Sequence, residues 1–235
     1  MRGSVVAFAI AGCTPPIQTT APPPRPAARP AASVLAIPGE SMIYQVRFRG
    51  LAVARVQVAI GRAGWVDGHR AVVVRAHGAS DGVVAMLAEI TWDLTTTLDL
   101  DGGYPRSHVE EASVLFQGKR EHERRTRTWE PGDTKHDALS AAAWLRAWPA
   151  RPDDRGELAV EIAGADFTVE LWRAGREMVE APKPMAAVRY DGRIEEDFHF
   201  AAWISDDAAR VPLRLRTETK WGDVTGELLE YDAPE

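Results

Sequence analysis

From Glu40 to the C-terminus, apolar and polar residues alternate with a period of two, the repeat that puts successive side chains on opposite faces of a strand. Ile43–Arg49 sets Tyr44, Val46 and Phe48 against Gln45, Arg47 and Arg49. Gly50 allows a bend into Val53–Ile60, where Val56, Val58 and Ile60 continue the pattern. Ala71–Ala79, with Val72, Val73 and Val74, is a third strand, and Ile90–Leu98 alternates threonine with apolar residues. Asp101-Gly102-Gly103 is a turn before His108–Phe116, and Gln117-Gly118-Lys119 a hairpin turn before Arg120–Trp129. Leu158–Ala163 and Phe167–Trp172 flank Gly164-Ala165-Asp166. Phe198–Ile204 and Val211–Thr219 flank residues 205–210, and Trp221-Gly222-Asp223 leads into Val224–Tyr231. Ten or more short strands joined by tight turns predict an all-β, mainly antiparallel domain: a curved sheet, a sandwich or an open barrel with one short helix packed on it.

Helical signals are scarce. Asp81–Ala88 reads as a short helical turn capped by Ser80 or Asp81. The firmer helix is Asp137–Trp148, where Asp137 can cap the first turn and Pro149 ends it. Ala138, Ala141, Leu145 and Trp148 form one apolar stripe to lay against a sheet.

The N-terminus has a different character. Met1-Arg2, the apolar run Val5–Ala11 and Gly12 precede Cys13, the single cysteine of the chain. A basic start, a short apolar core and small residues before a cut site describe an export signal. The ending Ile10-Ala11-Gly12-Cys13 resembles a bacterial lipobox, in which the cysteine is acylated and becomes the mature N-terminus. Residues 1–12 are thus expected to be a signal peptide and Cys13 a lipidation site, anchored stably if it carries two or more acyl chains. Thr14 in place of Asp favours the outer membrane. Residues 13–38 are the lipidated Cys and a tether: seven of the sixteen residues from Pro15 to Pro30 are proline. Proline favours extended polyproline II, which at ~3.1 Å per residue reaches up to roughly 75 Å. Residues 39–235 are left as a single β-rich domain.

Charge narrows the function. Acidic residues outnumber basic ones 34 to 28, for a net charge of −6, the wrong sign for a dedicated nucleic-acid binder. With one cysteine, no intrachain disulfide or cysteine-based metal site can form. The six histidines are dispersed, and none shows the spacing that points two imidazoles at one metal; no metal and no cofactor are expected. His136, Asp137 and Ser140 tempt toward a hydrolase, but no Gly-x-Ser-x-Gly elbow surrounds Ser140. The structural reading has Asp137 capping, Ser140 bonding locally and Arg146 pairing with a carboxylate on the sheet. The basic run Lys119–Arg127 reads as a solvated hairpin that blunts a sheet edge. Eight tryptophans are many for this length. They read chiefly as core, with Trp144, Trp148 and Arg146 as candidate lining of an apolar ligand groove under the helix.

Four pieces in order give a family resemblance. They are Tyr44-x-Val46-x-Phe48-x-Gly50-Leu51; His136-Asp137-Ala138-Leu139-Ser140 running on to Trp144-Leu145-Arg146; Trp203-Ile204-Ser205-Asp206-Asp207 continuing to Arg210-Val211-Pro212; and Gly222-x-Val224-x-x-Glu227-Leu228. Over about residues 40–232 the chain resembles the bacterial domain of unknown function 3108. Ala54 stands where a second glycine is common, and the segment around Pro182 and Pro184 departs from the family pattern. Within the matching pieces Asp137, Ser140, Trp203 and Asp207 are candidate structural-motif residues. The resemblance implies an exported, β-rich envelope protein of Gram-negative bacteria and no activity.

The expected function is therefore a non-enzymatic lipoprotein, held to the outer membrane through Cys13 with its domain facing the periplasm. Its domain would bind an apolar ligand or an envelope partner. The alternatives are an assembly scaffold with a filled core and, behind it, an envelope hydrolase.

Overall fold

The computed structural model describes residues 36–130, 132–152, 154–180, 182–194 and 198–234. The expected signal peptide, Cys13 and the tether as far as residue 35 lie outside the described residues.

Among the described residues, thirteen strands form one antiparallel sheet. In chain order they are β1 (Ser41–Phe48), β2 (Leu51–Ile60), β3 (Gly64–Val66), β4 (His69–Ser80), β5 (Glu89–Asp99), β6 (Pro105–Phe116), β7 (Lys119–Thr128), β8 (Arg155–Ile162), β9 (Ala165–Glu180), β10 (Pro184–Ile194), β11 (Phe198–Ser205), β12 (Pro212–Thr219) and β13 (Gly222–Asp232). Two helices interrupt them, α1 (Gly82–Leu87) between β4 and β5 and α2 (Ala138–Ala147) between β7 and β8. The spatial order is β7-β6-β5-β4-β2-β1-β13-β12-β11-β10-β9-β8, with β3 added on β4. Two meanders thus join where the first strand pairs with the last, Met42 opposite Tyr231.

The two-residue hairpins explain the economy of the connections. Arg49-Gly50, Asp67-Gly68, Gln117-Gly118 and Ala163-Gly164 all have φ near +50° and then near +80°. This is the turn whose twist matches the flanking strands and whose second position suits glycine. The β8–β9 turn is Ala163-Gly164, one residue before the expected Gly164-Ala165-Asp166, and Asp166 already belongs to β9.

The sheet curls until its ends meet without pairing. Between β7 and β8 the contacts are side-chain ones: Arg125 Nη1 donates to the Ala163 carbonyl at 3.1 Å and Arg127 Nε lies 3.3 Å from Glu161. Every residue of β7 is exposed, so the basic run is an edge strand. The free edge of β8 is covered at one point by His136, whose N–H and C=O bond Ala159 and Glu161 at 2.8 and 2.7 Å. The architecture is an open barrel.

Helix α2 lies inside the curl. It is not the one-sided helix that the stripe Ala138, Ala141, Leu145 and Trp148 describes. Ser140, Ala143, Trp144, Leu145, Arg146 and Ala147 are all buried, whereas Ala138 is exposed and Ala141 only half-buried. A helix inside a concave sheet meets walls on several sides, so its buried surface is wider than one stripe.

Two strands escaped the alternation pattern. Around β10 the sequence shows Pro182, Pro184 and Gly192 and no strand was expected, yet β10 runs from Pro184 to Ile194. Pro184 is the first residue of the strand, where a missing amide is tolerated. Gly192 is required because the Phe200 ring sits where its Cβ would stand, 2.2 Å away. Removing that side chain erased one beat of the pattern. The three-residue β3 is too short to carry a period.

Candidate functional site

The four sequence pieces that carry the family resemblance converge on α2. Asp137 is its N-cap: Oδ1 accepts the Ser140 N–H at 2.7 Å while Ser140 Oγ accepts the Asp137 N–H at 2.9 Å, a reciprocal box that satisfies two helix-start donors. The other carboxylate oxygen ties the helix to the sheet, accepting Thr96 Oγ1–H at 2.6 Å and lying 3.1 Å from His108 Nδ1. Burial alone would raise the Asp137 pKa, but the bonds from His108, the Ser140 amide and Thr96 outweigh it and hold the group below the ordinary carboxylate range.

At the other end Arg146, wholly buried, forms a two-pronged ion pair with Glu40, just before β1, and donates to the Ala209 carbonyl at 2.6 Å. Tyr231 of β13 gives Glu40 a further bond at 3.2 Å. The Ala209 carbonyl is presented by a turn that Asp207 builds: its Oδ1 accepts from Ser205 Oγ, the Ala209 amide and the Arg210 amide at 2.7, 3.1 and 3.0 Å. That turn also aims Arg210 at the end of α2, where it bonds the carbonyls of Arg146 and Trp148 and the Tyr190 hydroxyl. A cation on the last carbonyls complements the helix dipole.

Trp203 does separate work on the outer face of the sheet. Its ring lies between the guanidiniums of Arg189 and Arg214, 5.4 and 5.6 Å from the centroid, and its Nε1–H donates to Glu177 at 2.8 Å. That bond first, then Arg189, holds the Glu177 carboxyl below its usual range against the opposing effect of burial.

Trp144 and Trp148 are both buried. They stack in a file of rings, Tyr104, His136, Trp144, Trp148 and Tyr190, with neighbouring centroids 5.0 to 6.5 Å apart. The file packs on Leu158, Val160, Leu171 and Val188 of β8 to β10, on the side of α2 away from the open space. Burial pushes the His136 imidazole down to about 4, against a smaller upward pull from Asp137. Its Nδ1 is buried without a hydrogen-bond partner.

Ser140 Oγ bonds the Asp137 backbone, as the structural reading expected, and His136 Nδ1 has no hydrogen-bond partner, so the two do not form a hydrolytic pair. His108 meets the carboxylate instead. Thr96 Oγ1 and Asp137 Oδ2 both lie against the same ring nitrogen, His108 Nδ1. The Thr96 hydroxyl donates its hydrogen bond to Asp137, so the arrangement orients the helix start.

The open space lies on the other side of α2. Leu139, Ala142, Ala143 and the stem of Arg146 form its floor, and its walls come from β1, β2, β4, β11, β12 and β13. Met42, Tyr44 and Val46, then Val56, Val58 and Ile60, share one face and line this chamber of about 300 Å³. The wall is almost wholly apolar. The Tyr44 hydroxyl, raised in pKa chiefly by burial, is spent on the Pro212 carbonyl at 3.0 Å. The chamber opens in a definite direction: Leu213 is 0% exposed, whereas Leu215, two residues nearer the β12–β13 turn on the same face, is 49% exposed. A second, more polar hollow of about 400 Å³ lies at the seam beside Ala138, lined by His108, Glu110, Arg125, Arg127 and Glu161 among others.

The sequence profile described as "Protein of unknown function (DUF3108)" matches residues 43–229. The chain belongs to the DUF3108 family. The match begins in β1 and ends in β13, so this DUF3108 domain is the whole curled sheet with α2 inside it. No curated protein matches the sequence. Among solved structures, this DUF3108 chain is similar to a β-barrel-like protein of domain of unknown function DUF1849 from Brucella abortus. The TM-score is 0.55 at 9% identity, covering 84% of this chain and 98% of that one. That likeness shows the fold. Two weaker likenesses, both with TM-score 0.39, are to a protein thought to be exported, with a YmcC-like fold, from Bacteroides fragilis, and to a protein taken to be a lipoprotein from Parabacteroides distasonis. They are 10% and 8% identical, covering 84% and 83% of this chain and 97% and 95% of the others.

Sequence reasoning missed Glu40, Arg210, Thr96, His108, Leu139 and Ala142. Only Leu139 and Arg210 carried a signal, each standing in a matching piece, Arg210 three residues after Asp207.

Proposed function

We propose that this chain is a tethered cell-envelope protein whose open barrel holds an apolar ligand in the chamber beside α2. The observation that supports this most directly is the chamber wall: at about 300 Å³ it stands at the lower end of the ~300–1,000 Å³ range of small-molecule sites. Ala142, on its floor, is exposed although the helix from Ala143 onward is buried. A filled scaffold has no use for a water-exposed alanine on its central helix. The role is binding and not catalysis; the lipobox-like Ile10–Cys13 supports an anchor on acylated Cys13, and Thr14 after it favours the outer membrane with the domain facing the periplasm. The net charge of −6 disfavours nucleic acid as a partner.

The test is mass spectrometry of organic extracts of the periplasmically expressed protein, paired with displacement of an environment-sensitive apolar dye. A stoichiometric co-purifying apolar molecule is expected, with dye uptake that Ala142→Trp abolishes while leaving the unfolding transition in place. An empty protein that ignores the dye, or an Ala142→Trp variant that takes it up equally, returns the reading to a scaffold. Cys13→Ala is expected to release the protein into the soluble periplasmic fraction, and its retention in membranes would sink the anchor argument.

A further inference from the structure

Strand register places the Arg49-Gly50, Gln117-Gly118, Ala163-Gly164 and Lys220-Trp221 turns, together with α1, at one end of the barrel. Phe48 pairs with both Leu51 and Val224, Ala54 with Ser80, Phe116 with Lys119, Ile162 with Ala165 and Thr219 with Gly222. This is the end toward which the chamber opens. It also carries large apolar side chains with no cover: Leu51, Met86, Leu87, Phe116, Ile162 and Trp221, from 41% exposed at Ile162 to 85% at Met86. None of α1 is buried, although four of its six residues, Val83, Val84, Met86 and Leu87, are large and apolar. An amphipathic helix on a soluble surface would turn such residues inward.

The tips come from five separate connections around the rim, so they do not form one patch that a single side-chain knob could fill. They form a ring, which matches a broad flat target. Cations sit among them: Arg49, Lys119 and Lys220, with Lys220 Nζ 4.7 Å from the Trp221 ring centre, and Arg120, which is paired with Glu89 at 3.5 Å. An aromatic body with a cation beside it suits the boundary between headgroups and acyl chains.

We propose that this rim docks on an anionic phospholipid membrane and presents the mouth of the chamber to the lipid. The described chain begins at Ala36, at the opposite end, where Gly39 N bonds the Ile60 carbonyl. A tether of residues 14–35, which at ~3.1 Å per residue reaches up to roughly 68 Å, exceeds the length of β2, ten residues at ~3.3 Å each, about twice over. The rim can therefore reach the membrane that holds the anchor. Docking rests on the rim alone. Its purpose, loading or unloading the chamber, rests on the ligand reading above, and the two are separable.

The test uses residues 13–235 with Cys13→Ser, which keeps the entire described fold and removes the acyl anchor. It is co-sedimented with vesicles of seven parts phosphatidylcholine to three parts phosphatidylglycerol. Binding is expected, weakening as salt rises, and the variant Met86→Ser/Leu87→Ser/Trp221→Ser is expected to bind at least about tenfold more weakly. These side chains are exposed, so the variant keeps its unfolding midpoint and its dye uptake in vesicle-free solution. The proposal is overturned if the Cys13→Ser chain stays in the supernatant, or if the triple variant sediments as well as its parent. It is equally overturned if sedimentation velocity shows a dimer that the triple variant loses, for the rim is then a protein interface. Vesicle binding without dye uptake in either protein upholds the rim and sinks the chamber reading.

Discussion

Acid should unfold this protein through His136 before it titrates most of the carboxylates. The imidazole is buried between Tyr104 and Trp144 and has its pKa pushed down to about 4 from 6.5. In the unfolded chain it takes up its proton as pH falls through 6.5, and in the native state only near 4. The native state binds fewer protons across that window, so its stability is whole above pH 6.5 and falls as pH drops toward 4. At about 1.36 kcal/mol per pH unit, the distance between 6.5 and about 4 comes to about 3 kcal/mol. That is a large share of the ~5–15 kcal/mol that holds an ordinary domain together. His136→Phe keeps the ring file and removes both the titration and the unpartnered buried Nδ1. The assay is urea unfolding at half-unit steps from pH 7.5 to 4.5, for both proteins. The gap between the two stability curves should widen by about 1.4 kcal/mol per pH unit below pH 6 in favour of the variant. The other five histidines contribute alike to both. Parallel curves through that range would refute the reasoning, because they would mean that the native imidazole protonates as easily as the unfolded one.

Three other perturbations follow from the same packing. Arg146→Met should cost about 3–5 kcal/mol by stranding the buried Glu40 carboxylate, and adding Glu40→Met should recover most of it, as read by urea midpoints. Asp137→Ala removes the cap and leaves Thr96 and His108 without their shared acceptor, for a loss of about 2 kcal/mol or more, while Asp137→Asn should keep the cap and lose less. Gly78→Ala would put a Cβ 2.1 Å from the Trp92 ring. It should cost about 1–3 kcal/mol, a penalty that disappears in a Trp92→Leu background when thermal midpoints are compared.

Much of the sheet could be read along the chain because one face of most strands is buried and the other is not, and the period of two survives that contrast. It failed where the buried face gives up a side chain, as at Gly192 under Phe200. It also failed where alternation is carried by too few residues, as in β3. Helix α2 was legible from Asp137 and Pro149 because both act locally. Its orientation was not, since Trp144 and Leu139 look alike to a periodicity argument and differ only in which wall they meet. The partners of Arg146 illustrate the limit. Glu40 and Ala209 stand 106 and 63 residues away, and an isolated glutamate ahead of a strand has no local mark of its partner. The chamber could be anticipated as a concavity under a helix, but its lining fell to the small residues Ala142 and Ala143, not to the tryptophans.

A closed barrel has its girth set by the number of strands and their shear, and every backbone bond resists a change in it. Here the circumference is interrupted where Arg125 and Arg127 reach across to Ala163 and Glu161. Widening the vessel at that seam breaks these side-chain contacts and leaves the ladder whole. Partly exposed charge contacts of this kind contribute at most about 1 kcal/mol each and are screened by salt. The girth at the seam is thus set by side chains and by α2, whose Asp137 holds Thr96 on one side while its ring file packs on β8 to β10 on the other.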